Sequence, residues 1–180
     1  RVLILIIGQP GSGKTTVSKK IESLLNKKIS MDGFHLPVSV LQQFPDPEHA
    51  IEKRGSPATF DAGQVVKLIE LIPTITTPDF SHELKDPSPG GTTIQPETRV
   101  VIMEGLYLLL KDSKPWCGIP ELIINNNDKL VCEVWKINVP QSIARSRVSQ
   151  RHLDSGLVTS LQKGVQRYDE NDLPNGILVD

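Results

Sequence analysis

Six apolar residues, VLILII (2–7), run straight into GQPGSGKTT (8–16), and this junction constrains the fold more than any other part of the chain. A run of Val, Leu and Ile without polar alternation is the pattern of a strand covered on both faces, as in parallel sheets. After the glycines, KTTVSKKIESLLN (14–26) places Val17, Ile21, Leu24 and Leu25 at helical spacing, with lysines on the other face. A buried strand, a glycine-rich turn and an amphipathic helix therefore follow one another without a break.

Residues 8–15 match the pattern GxxxxGK[ST], the P-loop, in the strand-before, helix-after setting that the motif requires. Gly8, Gly11 and Gly13 permit backbone angles and close approach that side chains block, so successive N–H groups can turn inward around phosphate oxygens. The helix starting near Lys14 adds the positive end of its dipole. Lys14 is then expected to reach the β- and γ-phosphates, and the Thr15 hydroxyl to ligate Mg²⁺. Gly8, Gln9, Pro10, Gly11, Ser12, Gly13, Lys14, Thr15 and Thr16 form the expected nucleotide-binding stretch. A glycine turn that merely joins strand to helix is the plain alternative, and the flanking elements argue against it.

The remaining chain repeats the strand and helix alternation. KISM before Asp32 reads as a second short strand, AGQVVKLIELI (62–72) as a helix, RVVIM (99–103) as a third, buried strand, and VCEVWKINV (131–139) as a fourth. PQSIARSRVSQRHLDSG (140–156) reads as a helix with Pro140 near its first turn and Gly156 at its end. Such alternation predicts an α/β fold with a parallel sheet and right-handed crossovers. TTPDFSHELKDPSPGGTTIQPET (76–98), rich in Pro, Gly, Ser and Thr, reads as a long loop or small hairpin. The ending NDLPNGILVD (171–180) leaves ILVD as the stub of one more strand.

With 180 residues, 38% of them hydrophobic, a single domain over 1–180 is expected. Twenty basic residues against 21 acidic ones give a net charge of -1, which favours a small-molecule ligand over nucleic acid. Cys117 and Cys132 lack CxxC spacing or neighbouring histidines, which fits reduced thiols in a cytoplasmic protein. No apolar run approaches the roughly 18 residues that a membrane span needs.

A P-loop serves kinases, ATPases and switches alike, so residues outside it must distinguish them. Asp32 stands at the end of the second strand, on the sheet edge where ligands bind in open α/β sheets. There it can accept a proton from an attacking hydroxyl or hold the metal through water, whereas a turn cap with Gly33 is its plain role. Glu104 ends the RVVIM strand as a second strand-end carboxylate. Arg147 and Arg151 stand at i and i+4 on one helix face with Arg145 beside them, so they can fold over phosphates; a solvated basic face is the alternative.

Six segments in this order, GQPGSGKTT, MDGFHL, KRGSPATFD, PDFSHELKDP, VVIMEGLYLLL and RHLDSGLV, resemble the phosphoribulokinase/uridine kinase family of P-loop kinases. The wording is most similar to a fungal ATP-dependent kinase branch whose acceptor is not established. The resemblance covers nearly the whole chain. It implies a three-layer P-loop NTPase fold, a lid helix within 140–156, an acceptor-side loop or hairpin at 76–98, and transfer of the γ-phosphoryl of ATP to a hydroxyl of a small molecule. By the same resemblance, Asp32 is the base for that hydroxyl and Glu104 lies near Mg²⁺. His82 lines the acceptor pocket, Arg147 and Arg151 belong to the lid, and His35, Arg54 and Phe60 fall in acceptor-side segments. MDGFHL departs from uridine kinases, which carry Phe-Tyr after the aspartate, and is nearer to pantothenate kinase, which leaves nucleoside-, pantothenate- and sugar-like acceptors open.

Two other classes compete. A nucleotide-dependent switch or ATPase would use hydrolysis to change a partner interface, yet no NKxD-like guanine-reading tetrapeptide occurs. A nucleotide-binding module without turnover is opposed by the complete set of Lys14, Thr15, Asp32 and Glu104.

Overall fold

The apolar run Val2–Ile7 forms strand β1, and the rest of the architecture is arranged around it. The computed structural model describes residues 1–25, 28–72, 76–81, 86–93, 98–125 and 130–179. Along the chain follow α1 (Lys14–Leu25), β2 (Lys28–Ser30), α2 (Val38–Leu41), α3 (Pro47–Glu52), α4 (Ala62–Leu71), β3 (Thr76–Ser81), β4 (Asp86–Thr93) and β5 (Val100–Glu104). Then come α5 (Gly118–Asn125), β6 (Val131–Lys136), α6 (Gln141–Asp154), α7 (Leu161–Arg167) and α8 (Leu173–Ile177). A 3-10 turn, Met31–Phe34, follows β2, and a π-helical turn, Tyr168–Asp172, joins α7 to α8.

The sheet is parallel, in the order β2-β5-β1-β6. Side chains alternate across a strand, so each run of apolar residues feeds two cores. Leu3, Leu5, Val101 and Met103 pack with Val65, Leu68 and Ile69 of α4 and Ile119 of α5. Ile4, Ile6 and Ile102 point to the opposite face, where Ile21 of α1 covers them. Helices thus flank both faces, as an α/β three-layer arrangement requires. The segment 76–98 contains an antiparallel hairpin of β3 and β4, which packs on the Met31–Phe34 turn. Among the described residues, no helix is long and apolar enough to cross a membrane.

Three expectations need correction. Val17 is 37% exposed, and fully buried Ser18 takes its place on the covered face of α1, its hydroxyl satisfied within the helix by the Thr15 carbonyl oxygen at 3.1 Å. The fourth strand stops at Lys136 rather than 139 and pairs with β1 alone among the described residues. Its Val131 and Trp135 are accordingly exposed. ILVD is not the stub of a strand: Pro174 sits in the first turn of α8, the helix runs through Ile177, and Val179 packs against the main core.

Candidate active site

Strand register brings the site together. Glu104 pairs with Ile6 on one side and Ser30 on the other, so β1, β5 and β2 end at one level. The glycine turn and the Met31–Phe34 turn leave the sheet from this edge, where ligands bind in open α/β sheets.

In the turn, Gly8, Gly11 and Gly13 have φ of 149°, 79° and 99°. A Cβ on Gly8 would lie 2.4 Å from the Ile137 carbonyl oxygen, and one on Gly11 would lie 2.7 Å from that of Ala144 in α6. A Cβ on Gly13 would meet nothing within 4 Å. The first two glycines let the loop be gripped from behind, whereas the third faces open space. Gln9 Nε2 donates to the Val139 carbonyl oxygen at 2.7 Å, and Gly176 of α8 rests against Gln9 and Pro10. The Ser12 hydroxyl is buried inside the loop.

Lys14 Nζ lies over the loop and donates to the carbonyl oxygens of Gly8 (2.7 Å) and Gln9 (3.2 Å). Burial lowers its pKa; the carboxylates of Glu104 and Asp32 oppose that shift, and Arg151 adds to it. Thr15 Oγ1 donates to Glu104 Oε1 at 3.0 Å, and Ser30 Oγ donates to the same oxygen at 3.2 Å. Ser30 Oγ in turn accepts from the Asp32 amide at 3.3 Å. Glu104 is only 3% exposed, so these hydroxyls hold a carboxylate that water scarcely reaches. Thr16 is exposed on the first turn of α1. Ser30 was not expected from the sequence; its position one residue before Met31, at the end of a strand, was the available signal.

Asp32 itself lies in the turn after β2, not in the strand. The carbonyl oxygen of Asp32 can only accept, so His35 Nδ1 carries the proton of their 2.9 Å bond. That ring lies on Phe60, with centroids 4.0 Å apart, and Phe60 meets Tyr107 and Trp116 edge-on. Arg54 Nη2 donates to the Leu36 carbonyl oxygen at 3.2 Å. Tyr107 Oη donates to that of Gly55 at 2.6 Å, and burial, reinforced by Asp172, holds its phenol above its ordinary pKa. His35, Arg54 and Phe60 therefore share one wall beside Asp32. His82 lies outside the described residues.

Arg147 and Arg151 line an open concavity on α6 with Ser146, Gln150, Asp154 and Ser155. Arg147 Nη1 reaches the Gly11 carbonyl oxygen at 3.4 Å, and Arg151 is close enough to Lys14 to lower its pKa. Arg145 does not join them. It forms a two-pronged pair with Asp169 at 2.8 and 2.5 Å on another side of the helix, which raises its own pKa and lowers that of the carboxyl.

The residues fit a nucleotide with its metal. Gly13 leaves room for phosphate oxygens in front of the loop, and Lys14 and Arg151 supply cationic charge beside it. Thr15, Ser30 and Glu104 offer a hard oxygen set of the kind Mg²⁺ takes, few from protein and the rest from water and phosphate.

No family model matches the chain. It is 36% identical over 197 residues to a candidate uridine kinase of Schizosaccharomyces pombe, across all of this chain and 78% of that protein. The ATP-dependent kinase YFH7 of Zygosaccharomyces rouxii is 32% identical over 207 residues, matching 97% of this chain and 54% of its own length. YFH7 of Saccharomyces cerevisiae is 35% identical over 184 residues, 84% of this chain and 51% of its own, so the chain spans about half the length of the YFH7 relatives. In structure, Saccharomyces cerevisiae YFH7, a candidate P-loop kinase with a circular permutation, superposes with a TM-score of 0.90 at 24% identity, covering 100% of this chain and 88% of that one. A candidate fructose transport system kinase from Silicibacter superposes at 0.83 with 29% identity, covering 99% and 84%. With the S. pombe relative matched from end to end of this sequence, and the same fold around the same phosphate loop, the chain belongs to the uridine kinase-like P-loop kinases.

Proposed function

We propose that the protein transfers the γ-phosphoryl group of ATP to a hydroxyl of a small molecule, nucleoside-, pantothenate- or sugar-like in kind. The observation that carries this reading is the chain of hydrogen bonds from Thr15 through Glu104 and Ser30 to the Asp32 amide, which ties the phosphate loop to the turn that bears the candidate base.

ATP·Mg²⁺ supplies the transferable phosphoryl group and the metal charge that neutralises its oxygens. Thr15 and Glu104 would hold the metal when it is bound. Asp32 orients the acceptor hydroxyl and takes its proton as the hydroxyl oxygen bonds to the γ-phosphorus; the bond to the β,γ-bridging oxygen breaks and its electrons leave with ADP. Lys14, Arg147 and Arg151 stabilise the charge on the transferring group. Arg54 and His35 form the wall against which the acceptor lies; the family resemblance alone gives His82 an acceptor-side role. Closure of α6 over the phosphates keeps water from competing as acceptor.

ADP release from ATP·Mg²⁺, screened with pools of nucleosides, pantothenate-like alcohols and sugars, tests the reading, with Lys14→Ala as control. Acceptor-dependent ADP that disappears in the control is expected. Asp32→Asn should abolish transfer while ATP still binds; near-normal turnover in that variant removes Asp32 as base. Release independent of every acceptor would favour an ATPase or switch.

A further inference from the structure

The lid helix and the loop that bears Arg54 both hold the π-helical turn Tyr168–Asp172. A π turn inserts a residue into a helix and is frequent at functional sites. Here it redistributes consecutive side chains between two neighbours. Asp169 and Asp172 face α6: the first pairs with Arg145, and the second accepts from His152 Nε2 at 2.8 Å, with side chains only 15% and 10% exposed. Tyr168, at the start of the turn, is buried against Ala144 and Val148.

The intervening residues hold the loop that bears Arg54. Lys53 Nζ donates to the Glu170 carbonyl oxygen at 3.2 Å, and Asn171 Nδ2 donates to the Arg54 carbonyl oxygen at 3.5 Å. Arg167, just before the turn, donates to the Glu52 carbonyl oxygen at 3.5 Å. The two grips on α6, at Arg145 and His152, lie about two helical turns apart and bracket Arg147 and Arg151 in sequence. Fixing a helix at both ends of such a stretch fixes its rotation and its axial position, and hence where the two arginines reach relative to the glycine turn.

We propose that the π turn couples the loop that bears Arg54 to the lid arginines, so that the position of residues 52–54 sets the alignment of Arg147 and Arg151 over the phosphates. Asp169, Asp172 and Lys53 are positioning residues in this scheme; they touch neither nucleotide nor acceptor. An acceptor seated against the Arg54 wall then improves arginine alignment, and an empty wall relaxes it, which favours transfer to the acceptor over transfer to water. The inference rests on the reading that Arg151 meets the phosphates of ATP.

A double-mutant cycle on ATP·Mg²⁺ affinity tests it, with ATP·Mg²⁺ itself as the probe and Lys53→Met and Arg151→Met as the two variants. The two side chains lie on opposite sides of the turn, and both substitutions keep an apolar stem. Lys53→Met is expected to weaken binding about fivefold when Arg151 is present and less than about twofold when it is absent. Asp172→Asn, which keeps the size of the side chain while weakening the grip on α6, is expected to show the same dependence on Arg151. Additive losses in both cycles overturn the coupling and leave the phosphotransfer reading standing, since a merely structural effect of Lys53 would not depend on Arg151. Unchanged affinity in Arg151→Met alone overturns the lid reading, and the coupling with it.

Discussion

The two walls of the site are built by different means. The phosphate wall is nearly contiguous: Lys14 bonds carbonyls five and six residues back, and three glycines within one turn shape the cradle. The proposed acceptor wall is assembled from afar. Arg54 reaches Leu36 across 18 residues, Tyr107 reaches Gly55 across 52, and Lys53 and Asn171 join the loop to the π turn across 117. A phosphate can be held by backbone amides, so the chain needs little beyond small residues in sequence. A hydroxyl acceptor must be positioned by side chains from several elements, so the chain needs a fold before it has an acceptor site.

Lys14→Met should make the contrast sharpest. Turnover is expected to fall at least about a thousandfold, because a charge aimed at the transferring group is lost. The unliganded protein should nevertheless melt at a higher temperature at pH 7. Burial dominates the shift that lowers the lysine pKa, so the fold disfavours the charged form relative to water, and a neutral side chain removes that cost. The stabilisation that ATP·Mg²⁺ gives to the wild type should disappear. Thermal melts with and without ATP·Mg²⁺ check both halves, and a lower melting temperature for the unliganded variant would show that the bonds to Gly8 and Gln9 outweigh desolvation.

Within the phosphate wall, Gly11 and Gly13 separate packing from function. Gly11→Ala places a Cβ against the Ala144 backbone at a positive φ and is expected to cost roughly 3 kcal/mol of stability, read by urea denaturation. Gly13→Ala meets open space, so only its backbone strain remains, about 1 kcal/mol, while ATP affinity should drop more than tenfold as the Cβ enters the cradle. Equal stability losses in the two variants would mean that α6 does not press on the loop as the structure describes.

The same division governs what could be read from the sequence. β1, α1, the helix at 140–156 and the hairpin near 76–98 follow from local periodicity and punctuation, and all are present. Glu104 was legible as a strand-end carboxylate because a parallel sheet presents its carboxyl ends together, whereas Asp32 stands two residues past its strand, in the turn that follows. The orientation of Arg145 was not legible, because its partner Asp169 lies 24 residues on, in a turn with no motif of its own. Nor was the burial of Ser18, a polar residue whose hydroxyl bonds back to the Thr15 carbonyl oxygen of its own helix. The π turn leaves only a polar run, YDEND, in the sequence, and its division of labour arises from one extra residue per turn that no periodicity announces.

Tyr107→Phe has the smallest expected effect and separates the walls most cleanly. The ring stays in its aromatic cluster, so what is lost is one hydrogen bond to the Gly55 carbonyl oxygen, next to Arg54, about 1–2 kcal/mol of stability. Because this change leaves in place the Lys53 and Asn171 bonds that tie the loop to the π turn, ATP·Mg²⁺ affinity should stay within about twofold of wild type while the acceptor KM rises; an about fivefold loss of nucleotide affinity would mean that the Gly55 bond, too, sets the position of residues 52–54. The deficit should also depend on pH in a definite direction. Burial holds the Tyr107 phenol above its ordinary range, so its contribution is whole below the unfolded value of about 10 and is lost as pH climbs from there toward the raised folded value. The phenylalanine has no such proton to lose. Urea denaturation of both proteins from pH 8 upward should therefore find the gap between them constant at first and narrowing above about pH 10, and a gap that widens would reverse the sign assigned to burial at this site.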